Sequence, residues 1–527
     1  MFRRLTAISV LSALTLYGQA QTGPGRGQQA PAPPPIGTKP KPAIPGAQAV
    51  RSCESLAQVA LPNTTIESAA LDAANPSVCR VTAVVTHPPM GDKVKIWIGL
   101  PTSNWNGRFL GIGGGGFSGG SANGVSQPVS LGYVSGSTDT GHEGGSGSFA
   151  LESNGRLNWQ LIRDNAHVGI HEMTATGKAL AEAMYRAAPR YSYFYGCSTG
   201  GRQGLMEAQR YPQDYNGIVS GAPAINFPKL MMQSIWGSVQ MNLSGTAVPA
   251  CKLAAATAAA VAACDAIDGV KDGVIEDPGR CHYDPKELIG SSAGECGPFT
   301  EADANIIRKI WEGPRREDGS FLWYGQSRGA ALNALAGTRG NPPQPVGFAF
   351  TQDWLKYWIT QNPQFDWTTI TAAAYQRYWD QSMEEYSIVI GTDNADLSAF
   401  RDRGGKAILW HGCADPLITA DGTIDYYKRL QQQTGGPNQT PQFVRFFLAP
   451  GVGHCGGGEG PAPYGQLDAL RSWVENGEAP ETLTAAKRDQ TGTVTRSRPL
   501  CQFPQVAKYK GSGSTDKAEN FVCSSSF

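Results

Sequence analysis

Apolar residues in this chain fall into two kinds of run, and their alternation is the first guide to its architecture. Val94-Lys-Ile-Trp-Ile-Gly-Leu, Arg108-Phe-Leu-Gly-Ile and Tyr133-Val-Ser-Gly-Ser are short and end in glycine-rich or polar loops, which predicts strands. Residues 166–188 place apolar side chains at helical spacing and stop before Pro189, and residues 201–211 form a second helix candidate. Tyr191-Ser-Tyr-Phe-Tyr lies between them as a further strand. The expectation is an α/β fold built on a parallel sheet covered on both faces.

Between 228 and 395 the alternation gives way to helical, Trp-rich and Gly/Pro-rich sequence, and it returns at Ala407-Ile-Leu-Trp-His and Phe443-Val-Arg-Phe-Phe-Leu. This predicts one α/β core in two pieces, 51–227 and 396–527, with residues 228–395 inserted as a cap over the active face. Residues 21–50, including Pro31-Ala-Pro-Pro-Pro-Ile, hold too little apolar surface to fold and predict a flexible leader. Ahead of them, Met1-Phe-Arg-Arg, the apolar stretch 5–17 and Gly18-Gln-Ala form the three regions of a secretory signal peptide, with cleavage expected after Ala20. About 13 apolar residues fall short of the ~20 that span a bilayer, and no later segment is expected to do better. A secreted or periplasmic protein is therefore expected, and with it disulfides.

Composition narrows the function. Lys+Arg and Asp+Glu are equal at 44 each, so nothing supplies the electrostatic footprint of nucleic-acid or anionic-membrane binding. With 65 glycines and 36 prolines and no strict period, the chain is loop-rich rather than fibrous.

A Gly-x-Ser-x-Gly turn exposes a serine hydroxyl where a strand bends sharply into a helix. Gly290-Ser-Ser-Ala-Gly has no strand before it, and Gly116-Phe-Ser-Gly-Gly has no helix after it. Only Gly196-Cys-Ser-Thr-Gly has both contexts, which makes Ser198 the candidate nucleophile. Acyl transfer also needs backbone N–H groups aimed at the developing oxyanion. Thr199, directly after the nucleophile, and Gly115, in the run Gly113-Gly-Gly-Gly after an early strand, fit that role.

The general base is a histidine reachable from the serine and oriented by a carboxylate. This fold class orders its triad as serine, acid, histidine, so of the seven histidines only His411 and His454 follow in the expected place. His454 lies in a loop after a strand and is assigned as the base, with His411 structural. Asp415, at the carboxyl edge of a strand, is the candidate acid. Nucleophile and base each have a cysteine neighbour, Cys197 and Cys455. If Ser198 and His454 meet, those cysteines come within reach of a disulfide, which supports the triad independently.

Gly-Cys-Ser-Thr-Gly-Gly, His-Gly-Cys-Ala-Asp and Gly-Val-Gly-His-Cys together resemble the tannase and feruloyl esterase family, over most of the chain from about Cys53. Asn104-Trp-Asn-Gly-Arg-Phe, Ser137-Thr-Asp-Thr-Gly-His and Gly221-Ala-Pro-Ala extend the likeness. The resemblance implies an α/β-hydrolase fold with a large inserted lid domain, and a serine carboxylic-ester hydrolase that cleaves feruloyl, galloyl or terephthalate half-esters through an acyl-enzyme. Its partner would be a small aromatic ester, with the lid contributing the acid pocket. Trp236, Phe348, Phe350 and Trp354 are candidates there, though such residues are more often core. Cys413 departs from the bulky apolar residue common in relatives.

By residue type alone, Asp265, Asp268 and Asp272, with turns at Gly269 and Gly273, read as a solvated Asp-Gly turn. The resemblance reverses that reading. It implies a structural calcium ion held by those carboxylates and the carbonyls of Val270 and Val274, with Cys264 bridged to Cys281 across the loop. Position also pairs Cys53 with Cys79 and Cys501 with Cys523. Cys251 with Cys296 would leave Cys413 free, a connectivity that sequence does not decide. Two other readings stand beside the esterase: a secreted binding protein that keeps the fold without catalysis, and a serine peptidase.

Overall fold

Nine strands hydrogen-bond into one sheet in the computed structural model, which describes residues 36–526. In chain order they are β1 (Thr64–Leu71), β2 (Val78–Val85), β3 (Val94–Pro101), β4 (Arg108–Ile112), β5 (Val134–Thr138), β6 (Tyr191–Cys197), β7 (Gly217–Gly221), β8 (Lys406–Gly412) and β9 (Val444–Ala449). Across the sheet they run β1-β2-β3-β5-β4-β6-β7-β8-β9. The six strands from β5 to β9 are parallel, whereas β1, β2 and β3 join by antiparallel pairing. The all-parallel expectation is therefore corrected. Alternating strands and helices report a parallel core, but no helix separates β1, β2 and β3, so these strands turn back as hairpins.

Successive residues of a strand point to opposite faces, and both faces here are packed. Phe109, Phe194, Ile218, Leu409 and Phe446 join Met173, Leu180, Tyr426 and Leu430 on one side. Their neighbours Leu110, Tyr193, Val219, Ile408 and Phe447 join Leu467, Leu470 and Trp473 on the other. Fully burying an aliphatic or aromatic side chain contributes about 1.5–3 kcal/mol, so this double layer dominates the stability of the core.

Between β7 and β8 the chain leaves the sheet and is chiefly helical. Its longer helices are Ala250–Cys264, Glu301–Glu312 and Ala372–Ile390. A tryptophan-rich core that includes Trp354, Trp358, Trp367 and Trp379 holds this lid together. The run Ala250–Asp268 is long and apolar enough to cross a membrane by length and composition, which corrects the expectation that no segment after the N-terminal one would be. In the fold it packs Leu253, Ala256 and Ala260 into a second lid core, and disulfides Cys251–Cys296 and Cys264–Cys281 tie it down.

The segments expected to be a signal peptide (1–20) and, as far as residue 35, a leader lie outside the described residues. Residues 36–50, expected to be flexible, are docked instead. Ile36 and Ile44 pack on the core, the Thr38 N–H donates to Asp468, and the Lys41 carbonyl accepts from Arg108, itself ion-paired to Glu475. A segment too polar to form its own core can still add to a finished surface.

Candidate active site

Register brings the carboxyl ends of three adjacent strands level, pairing Cys197 of β6 with Gly221 of β7 and Gly221 with Trp410 of β8. Ser198 follows directly and begins the turn into helix Thr199–Arg210. Its φ of 62° is a strained value for a residue with a side chain, of the kind that concentrates at functional sites. The Ser198 N–H donates to Gly221 and its carbonyl accepts from Ala224, at 3.0 Å each, so the strain is held from both sides.

The glycine run lies against this turn. A Cβ at Gly113 would stand 2.5 Å from the Gly200 Cα, so only glycine allows the approach. The Gly200 N–H donates to the Gly114 carbonyl at 3.0 Å, and Thr199 Oγ1 donates to the Gly116 carbonyl at 2.5 Å. As a first-turn amide, the Thr199 N–H has no acceptor within its helix. The N–H of Gly115 is less free than expected, since it donates to the Ser118 carbonyl at 3.2 Å.

Asp415 lies three residues beyond β8 and is buried. Its Oδ1 accepts the N–H groups of Leu417 and Ile418 at 2.8 and 3.0 Å, and its Oδ2 accepts His454 Nδ1 at 2.8 Å. His411 also approaches Oδ2, at 3.3 Å, and is held by Thr423 and the Ile418 carbonyl. Burial opposes the charge on Asp415, yet His454 and His411 hold its carboxyl well below the usual carboxylate range. His411 thus buttresses the acid, a contact its position four residues earlier did not reveal.

Five disulfides are present: Cys53–Cys79, Cys197–Cys455, Cys251–Cys296, Cys264–Cys281 and Cys501–Cys523. The Cys197–Cys455 bridge, with Cα atoms 6.0 Å apart, joins the residue before Ser198 to the residue after His454. Cys413 is a buried free thiol, and burial pushes its pKa far up, which makes it a poor nucleophile.

Of the lid aromatics, Phe350 reaches the site. Its ring lies 2.6 Å from where a Gly116 Cβ would be, and it packs on Phe117 and Phe348. Trp354 is fully buried with its N–H on Ser382, a core residue. Trp236 borders a separate cavity of about 510 Å³ whose lining includes no triad residue. The lid also touches the acid loop, where Gln326 donates to the Pro416 carbonyl at 3.0 Å.

In the aspartate loop, Asp265 Oδ1 accepts the N–H groups of Asp272, Gly273 and Val274. Asp272 pairs with Arg498 at 2.6 Å and lies 3.6 Å from Arg496. Burial, with Asp272 and Asp265 nearby, pushes the Asp268 carboxyl up. The oxygen-only donor set fits a hard cation, and the repulsion at Asp268 is what such an ion relieves. Arg498 competes with such an ion for the Asp272 carboxylate.

Residues 79–524 match the sequence profile of the tannase and feruloyl esterase family. A probable feruloyl esterase of Arthroderma benhamiae is 38% identical over 481 residues, 88% of this chain and 87% of that protein. The mono(2-hydroxyethyl) terephthalate hydrolase of Piscinibacter sakaiensis is 30% identical over 86% of this chain and 85% of its own. The crystal structure of feruloyl esterase B from Aspergillus oryzae superposes with a TM-score of 0.78 at 28% identity, covering 90% of this chain and all of that one. Extended strands level at one sheet edge, the inserted lid and this likeness along nearly the whole chain agree: the protein belongs to the tannase and feruloyl esterase family and is a carboxylic ester hydrolase with the α/β-hydrolase fold.

Proposed function

We propose that the protein is a secreted hydrolase of aromatic-acid esters of feruloyl, galloyl or terephthalate half-ester type, acting through an acyl-enzyme on Ser198. The observation that carries the reading is the pair of ties on His454: its hydrogen bond to Asp415 on one side and the bridge from Cys455 to Cys197 on the other. With Nδ1 given to Asp415, the opposite ring nitrogen is free to take the Ser198 proton. The alkoxide then attacks the ester carbonyl, and the negative charge on its oxygen is met by the N–H of Thr199 and of Gly115, the latter exchanging Ser118 for the oxyanion. His454 returns the proton to the departing alcohol, and water, activated by the same nitrogen, releases the acid. Phe350 and Phe117 beside the glycine run offer an apolar wall suited to an aromatic acyl group.

A screen of methyl gallate, methyl ferulate and a terephthalate half-ester, run alongside Ser198→Ala, tests this reading. Turnover of none of them, or turnover retained in the variant, would overturn it. A serine-directed phosphonate should label Ser198, which separates an enzyme from a binding protein. Secretion is supported by the five disulfides, and the mature N-terminus is expected at Gln21. A calcium ion at Asp265, Asp268, Asp272 and the carbonyls of Val270 and Val274 completes the proposal. It would tie the lid loop by its charge and takes no part in the reaction.

A further inference from the structure

The helix that starts at the nucleophile carries a second carboxylate near its other end which the mechanism does not use. Glu207 is 1% exposed, and neither of its oxygens has a hydrogen-bond partner among the described residues. A buried carboxylate without donors is costly, so its surroundings call for a counter-charge. Two side chains converge on it. After Arg210 the chain turns back through Tyr211 N–H to the Glu207 carbonyl at 2.8 Å and Asp214 N–H to the Tyr211 carbonyl at 2.9 Å, returning Asp214 to Glu207. From helix Gly169–Tyr185, His171 sets Nδ1 2.6 Å from Asp214 Oδ2. One nitrogen of His171 and one oxygen each of Glu207 and Asp214 all lie within 4.8 Å of one another.

We propose that His171, Glu207 and Asp214 form a binding site for a divalent transition-metal ion of the zinc class. Bonds of about 2.0–2.2 Å around a tetrahedral ion hold donor atoms roughly 3.3–3.6 Å apart, within that limit. An imidazole with two carboxylates is the mixed nitrogen and oxygen set such ions take, in contrast to the all-oxygen lid loop. Two carboxylates also balance a double positive charge. Lys178, whose ammonium donates to the main-chain carbonyl of Asp214, also lies close enough to attract both carboxylates, so an ion would share them with it. Tyr211 stacks on the His171 ring at 4.0 Å and 8°, and its hydroxyl is held by His167 Nδ1 at 2.8 Å, so the ligand ring is already oriented. An ion here would pin the nucleophile-bearing helix to helix Gly169–Tyr185, a structural role away from the triad.

The test uses untagged, chelator-stripped full-length protein resaturated with calcium, then titrated with Co²⁺ followed by its visible absorption and with Zn²⁺ by calorimetry. We expect one ion per chain and a Tm rise of about 2 °C or more. His171→Gln and Glu207→Gln should each weaken binding at least about tenfold, while Asp268→Asn in the lid loop leaves it unchanged. His171 is partly exposed, so its variant decides the matter if Glu207→Gln fails to fold. The proposal is overturned if the wild type takes up neither ion, if His171→Gln binds as the wild type does, or if binding is lost only in His87→Gln, at the other histidine–carboxylate cluster with Asp92 and Asp164. In the first case Glu207 is simply a protonated acid sharing its proton with Asp214.

Discussion

His454 and His171 each place Nδ1 against an aspartate oxygen, at 2.8 and 2.6 Å, but the ground around the two pairs differs. Asp415 receives two backbone N–H groups and a second histidine, so its charge is favoured although it is buried. Asp214 has beside it Glu207, whose carboxyl burial and the Asp214 charge push far up. The first pair stands next to a strained serine with N–H donors at hand. The second stands next to another acid with none. A histidine–aspartate pair is therefore no signature of catalysis by itself, and its neighbours decide whether it moves protons or gathers charge.

The sharpest break of this comparison is to remove one acid at a time. Asp415→Asn should lower kcat by about 10⁴-fold, because the ring loses its orientation, and Ser198→Ala should cost at least as much. Asp214→Asn should leave kcat unchanged when each is assayed on methyl ferulate. Equal losses in the two aspartate variants would erase the distinction. Next in size is the Cys197→Ala, Cys455→Ala double variant. Loosening the pair by ~1 Å costs on the order of 100-fold in rate, beyond any loss of folded protein measured by circular dichroism.

Chelation should be smaller and of another kind: Tm falls by a few degrees while kcat per folded molecule holds, because the ion would bind the folded state alone. An unchanged Tm with no calcium by elemental analysis would return the aspartate loop to a solvated turn. The smallest effect concerns a third pair, His87 with Asp92 at 2.6 Å, beside Asp164. Burial, with Asp92 nearby, pushes Asp164 up to about 7 from an ordinary 3.8. Between those values the folded state binds more protons than the unfolded one, so stability falls as pH rises from about 4 to about 7. His87, held above its ordinary value by Asp92 against the effect of burial, acts in the same direction. Urea unfolding at pH 5 and pH 8 should show Asp164→Asn flattening this slope by on the order of 1–2 kcal/mol.

How legible all this was depended on whether the signal is local. Six strands, including Tyr191–Cys197 and Lys406–Gly412, stand out because they are short, largely buried runs. β1, with Ile66 half-buried among exposed neighbours, is an edge strand whose polar pattern resembles a loop. Strand direction is carried not by the apolar pattern within a strand but by what connects it to the next. The serine turn, the histidine loop and their cysteines are short motifs and could be read directly. Glu207 could not, because on an amphipathic helix a carboxylate is expected to face water, and only the fold puts it inside. The helix expected over 166–188 begins earlier, at Trp159, and loosens into a π-turn over Asp164–Val168, which turns Asp164 inward.

The 258-residue separation of Cys197 and Cys455 also bears on biosynthesis. At 5–20 residues per second, roughly 10–50 s pass between synthesis of Ser198 and of His454, the proposed nucleophile and base, and the whole lid is made in that interval. A nascent chain therefore carries Ser198 before it carries the histidine proposed to activate it. The last part of the polypeptide, with the Cys197–Cys455 bridge that can form only after it, completes the proposed site, and a product truncated before His454 is expected to be inert towards the esters of the cell that makes it.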